Sequence, residues 1–112
     1  MKMMRTVVLT ISLLAAVAVP AHAQFDAVGS LDFPTSSSGD VEQPFLRGVA
    51  ILHSFGWVQA RDQFQEAQAL DPDFAMAYWG EAMTHNHPLW RFQDRDAALA
   101  ALGKYAPTGR ER

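Results

Sequence analysis

PFLRGVAILHSFGWVQARDQFQEAQALDPDFAMAYWGEAMTHNHPLW, running from Pro44 to Trp90, is the stretch that decides the fold. Phe45, Val49 and Leu52 recur at i, i+4 and i+7, one face of a helix, and Leu46 and Ala50 widen the stripe. Asp40 is a good N-cap and Pro44 suits a first turn, so the spacing predicts a helix from Val41 or Gln43 to Ser54. Phe55-Gly56 ends it, with Gly56 expected to take the left-handed conformation. A second helix is expected from Trp57 to Leu70. Its apolar face is Trp57, Ala60, Phe64 and Ala67, and its wet face is Arg61, Asp62, Gln65, Glu66 and Gln68. Two alanines beside one large ring let a neighbouring helix approach closely, so Phe64 is expected in the core between the first three helices.

Asp71-Pro72 stops the second helix, because proline disfavours helical backbone in the residue before it. Asp73 is then the expected cap of a third helix, Phe74 to His85. That helix carries Ala75, Tyr78 and Ala82 on one side and Met76, Trp79 and Met83 on another, as a helix sandwiched between neighbours does. Asn86-His87-Pro88 breaks it, and Leu89-Trp90-Arg91-Phe92 reads as a short aromatic connector. Asp94 caps a fourth helix rich in alanine and leucine, which Gly103 weakens near Tyr105 and Pro107 stops. The fold class is therefore all-α, built of antiparallel helix–turn–helix units.

Gly48, Ala60, Phe64, Ala67 and Pro72 keep the spacing Gly-x11-Ala-x3-Phe-x2-Ala-x4-Pro. This resembles the tetratricopeptide repeat, a paired-helix unit of about 34 residues with Gly, Ala, Phe and Pro at those slots. Pro44, Arg47 and Ile51 depart from the family's opening Trp, Leu and Tyr. One repeat on, Tyr78 and Ala82 fall on the aromatic and small slots, while Asp94 and Ala98 fit the later slots poorly and Pro107 is one residue late. The resemblance covers residues 43–107 as about two repeats of an α-solenoid, and it extends to the N-terminal part of longer exported bacterial proteins of this kind. A plain four-helix bundle needs the same amphipathic helices but not that spacing.

N-terminal to the repeats, Lys2 and Arg5 precede the uncharged apolar run Thr6–Val19, Pro20 and an Ala21-His22-Ala23 cleavage motif. This predicts a signal peptide over residues 1–23 and a secreted or periplasmic chain beginning at Gln24. The apolar run is shorter than the roughly 20 residues of a spanning helix, so no membrane attachment is expected after cleavage. Residues 24–42, with Ser36-Ser37-Ser38 and two glycines, read as a flexible lead-in. Its apolar Phe25, Leu31 and Phe33 are free to lie on the first helix or to stay away from it. Residues 108–112 read as a truncated or frayed C-terminus.

Nine basic against twelve acidic residues give a formal charge of −3, and loss of Lys2 and Arg5 takes it to −5. An acidic chain offers no electrostatic footprint for nucleic acid. The absence of cysteine excludes disulfides and thiolate ligands, so a small exported domain must hold by packing alone. Stacked repeats bury their faces against neighbours, so two repeats ending in an apolar helix are expected to be marginally stable or to self-associate, and to be part of something longer.

The family lines its concave groove with the first helix of each pair. The resemblance therefore implies a peptide groove of Glu42, Phe45, Val49, Leu52 and His53 from the first helix, with Met76, Trp79, Met83 and His87, and Asn86 beside them, from the third. The implied partner is a protein, an extended peptide or an amphipathic helix, the alternative being that neighbouring repeats or the lead-in cover the same residues. A second reading is a periplasmic metal site of Glu81, His85 and His87, since Glu81 and His85 are i, i+4 on one helix face and both residue types ligate zinc or copper. A dipole-stabilised histidine at a helix end explains the same residues without metal. A third is a non-functional remnant of a longer reading frame. No nucleophile elbow, carboxylate pair or phosphate loop is present, so neither catalytic residues nor a cofactor is assigned and enzyme activity is not expected.

Overall fold

In a computed structural model the chain is described over residues 25–37 and 39–106. The segment read as a signal peptide, its cleavage point, and residues 108–112 lie outside the described residues. Helices α1 (Glu42–His53), α2 (Trp57–Leu70), α3 (Ala75–Met83) and α4 (Arg95–Tyr105) make up most of it. A single 3-10 turn, Gly39–Val41, leads into α1. The most extensive contacts join α1 to α2, then α3 to α4, then α2 to α3. Among the described residues no helix is long and apolar enough to cross a membrane.

The all-α expectation holds in the main, with one addition. Between α3 and α4 the aromatic connector folds into a two-stranded antiparallel sheet, β1 (Asn86–His87) and β2 (Phe92–Gln93), paired as Asn86 with Gln93 and His87 with Phe92. A 3-10 turn at Pro88–Trp90 and Arg91 at φ 53° reverse the chain between the strands. The Asp94 N–H donates to the His85 carbonyl at 2.9 Å and closes the base of the hairpin.

The helix ends follow their expected caps at one place and depart at three. Asp94 does cap α4, its Oδ1 accepting the Ala97 N–H at 3.0 Å. Asp40 makes no capping bond, because it lies inside the 3-10 turn and Val41 takes the cap position. Asp73 does not cap α3 either: its N–H donates to Asp71 Oδ1 at 3.0 Å, and Phe74 occupies the cap. Gly56 is not left-handed, with φ −87°; Phe55 takes that conformation at φ 63°. Glycine is required at 56 for space, since a Cβ there would stand 2.5 Å from the Phe25 ring and 2.6 Å from Ile51 Cγ2.

The core is centred on Phe64. It is fully buried, as expected from its place between Ala60 and Ala67, which are also fully buried. Its ring stands in a space left by two glycines on different helices, Gly48 of α1 and Gly80 of α3. Phe45 packs beside it at a centroid distance of 5.8 Å and meets Phe74 edge-on at 5.0 Å. Full burial of a phenylalanine contributes about 1.5–3 kcal/mol relative to exposure. Two such rings on adjacent helices therefore account for much of the α1–α2–α3 association.

Candidate functional site

The face shared by α1 and α3 is already in use. The lead-in, residues 25–37, has no extended regular structure of its own and lies against the helices. Phe33 packs edge-on against Phe45 of α1 at 5.7 Å and stacks on Trp79 of α3 at 6.4 Å, with the planes 26° apart. The far end is held separately. Phe25 is buried against Ile51 and Gly56, its carbonyl accepts from Arg47 Nη2 at 2.8 Å, and Asp26 pairs with the same guanidinium at 3.8 Å. Both members of that ion pair are well exposed, so it orients the segment more than it stabilises it. Between the two anchors, residues 26–31 bound an open cleft of about 700 Å³ whose other wall includes Gln43, Arg47, Gln63 and Glu66.

The expected groove residues separate into groups. Phe45 and Val49 are 0% and 3% exposed, so they are core residues and not an open lining; part of what covers Phe45 is Phe33 itself. That corrects the expectation for these two, because the i, i+4, i+7 pattern marks a buried stripe without saying which element buries it. Leu52 and Met76 are partly buried against the same core, and Trp79 and Met83 are also half-buried. Glu42 and His53 are on the surface, with His53 Nδ1 2.8 Å from the Val49 carbonyl. His87 belongs to a different cluster. Its ring stacks on Trp57 of α2 at 3.8 Å and lies 5.2 Å from Phe92, while Trp90 meets both Trp57 and Phe55 edge-on. Asn86, in β1, is half-buried in that same hairpin.

Glu81, His85 and His87 are not arranged as a metal site. The Glu81 side chain is 5% exposed and its two oxygens accept from Gln65 at 3.0 Å, Gln68 at 2.6 Å and Lys104 at 2.6 Å. This network joins α2, α3 and α4 across the core edge. Burial raises the Glu81 pKa, but the hydrogen bonds from Lys104, Gln68 and Gln65, with the lysine charge, outweigh it and hold the carboxyl below its ordinary value. His85 is held below the ordinary histidine range by burial and by the Arg61 guanidinium, 3.4 Å from its Nδ1. Arg61 Nε also donates to the fully buried Thr84 hydroxyl at 3.0 Å. His87 Nε2 lies 2.9 Å from the Thr84 carbonyl. Among the described residues no group of three histidine, cysteine, aspartate or glutamate side chains could hold an ion.

Of the two alternatives the sequence leaves for the apolar lead-in residues, the structure takes the first: Phe33 lies on Phe45 of α1, and Phe25 lies against Ile51 of the same helix. One participant was not singled out as a contact in the sequence. Arg47 carries no signal for it, since it stands at a slot where the resemblance leads one to look for leucine. Comparison with protein-family models, with curated proteins and with solved structures finds no match for this chain.

Proposed function

We propose that this chain is an exported scaffold module of the tetratricopeptide type that binds protein or peptide through the face shared by α1 and α3, and that it is not a catalyst. The repeat reading is supported by the buried Gly48, Ala60, Phe64 and Ala67, four residues of the spacing that does the packing work between paired helices. The observation that carries the binding reading is the Phe33 seat: an irregular segment holds its aromatic side chain between one residue from α1 and one from α3. Grooves of this kind take extended chains by seating anchor side chains in pockets along them.

The test is a selection of peptides from a random display library on the purified chain, followed by calorimetry on the unchanged chain and on Trp79→Ala. The expected result is a Kd weakened at least about ten-fold by Trp79→Ala, equivalent to about 1.4 kcal/mol. Peptides that bind both forms equally well would place the binding surface elsewhere.

A further inference from the structure

We infer that residues 25–33 are a resident stand-in for the partner, and that the partner is an extended, acidic, aromatic-anchored peptide that takes the Phe45–Trp79 seat by displacing Phe33. The inference rests on the peptide-binding reading above and adds the ligand's chemistry and its built-in competitor. The chemistry is read from the occupant. The seat takes a flat ring, in an edge-to-face contact with Phe45 and stacked on Trp79. Arg47 takes a main-chain carbonyl and a neighbouring carboxylate, here those of Phe25 and Asp26. A ligand with an aromatic residue for the seat and a carboxylate for Arg47 matches both.

The occupant is held in a way that permits exchange. Only Phe25 is buried among residues 25–33; Val28, Leu31 and Phe33 are half-buried and the rest are exposed. The middle of the segment borders open space instead of packed side chains. Gly29, at φ 80°, has a backbone conformation that other residues rarely adopt. Segments with few buried contacts open locally, well below the free energy of global unfolding. A short tether sets the effective concentration of the resident segment at about millimolar, so a partner must bind the vacated seat more tightly than the segment does, or be present near that level. The observed affinity for the intact chain is then reduced by the fraction of time the seat is open.

The chain lacks cysteine, so Leu31→Cys introduces a single thiol while keeping both anchoring phenylalanines. The probe ligand is a synthetic peptide of residues 25–37. Thiol labelling of Leu31→Cys is expected under native conditions at a rate that climbs several-fold as the peptide approaches about millimolar concentration. The same peptide is expected to bind Phe33→Ala at least about ten-fold more tightly than the unchanged chain, and a peptide with alanine for both phenylalanines to bind neither. Labelling that is insensitive to peptide, whether at the rate of an accessible thiol or at the global unfolding rate, overturns the inference whether or not Phe33→Ala folds. If a library-selected peptide binds in a Trp79-dependent way while labelling stays unchanged, the inference falls and the peptide-binding reading stands. If no peptide binds either form, both fall.

Discussion

Gly80→Ala and Gly103→Ala are the same substitution in two helices, and the structure gives them opposite signs. Replacing a helical glycine by alanine removes backbone entropy from the unfolded chain and stabilises a helix by about 0.8–1 kcal/mol where nothing opposes it. Nothing opposes it at Gly103: a Cβ there meets no atom within 4 Å. At Gly80 a Cβ would overlap Cδ1 and Cε1 of Phe64 and stand 2.7 Å from Cζ. The ring has little room to retreat, because it is fully buried and the same atoms, Cδ1, Cε1 and Cζ, also fit closely against Gly48, where a Cβ would lie only 2.8 Å from Cε1. Overpacking costs about 1–3 kcal/mol, and with three ring atoms under 3.0 Å from the added Cβ this site falls at the upper end, about 2–3 kcal/mol, leaving a net loss of about 1–2 kcal/mol after the propensity gain. For a domain of this size that is a fall in Tm of roughly 5–15 °C, against a rise of a few degrees for Gly103→Ala. Thermal melts followed by circular dichroism measure both. Adding Phe64→Leu to Gly80→Ala is expected to cost less than the sum of the two single changes, since each relieves the other. A Gly80→Ala protein as stable as the original would refute the wedge between α1 and α3.

The remaining predictions concern pH, export and association. Glu81 has a depressed folded pKa, so the unfolded state binds the proton more readily; its contribution is present above the ordinary value of 4.5 and is lost as pH falls through the folded value. His85, lowered from 6.5, has the same sign, with stability declining as pH drops below 6.5. Urea midpoints taken from about pH 7 down to about pH 3 should therefore fall in two stages, and Glu81→Gln should start lower and lose less in the second. Intact mass of the secreted protein should begin at Gln24, and a soluble form retaining Met1 to Ala23 would overturn the export reading. Leu89, Trp90 and Phe92 are 70%, 57% and 52% exposed, and Trp90 meets Phe55, itself 51% exposed, so sedimentation should show concentration-dependent association that Trp90→Ser and Phe92→Ser together reduce.

The face of α2 was readable without a structure. Ala60, Phe64 and Ala67 are spaced so that one side of any helix there must be apolar, and all three are buried. Asp94 was equally readable as a cap, because a cap is made between residues three apart. The hairpin was not, since its four paired residues carry no alternation long enough to register. Asp40 and Asp73 show the limit of cap signals: each is a competent acceptor, but the backbone around it takes a turn of another kind.

What the amino-acid sequence determined by itself is the set of helices and the stripes that α1 and α2 bury, because periodicity and the punctuation of glycine and proline act over a few residues. On α3 the expected side Ala75, Tyr78 and Ala82 is corrected: Ala75 is exposed, and Ala77, Gly80 and Glu81 are buried because α2 and α4 pack on that side. What the tertiary structure alone decided is what covers those stripes. Gly56 serves Phe25 across 31 positions, Phe33 reaches Trp79 across 46, and Glu81 meets Lys104 across 23. Contacts at such separations depend on how the helices pack and on where the lead-in returns, and no local pattern encodes that. The physical reason is that a side chain's hydrophobicity requires burial but does not specify the group that provides it.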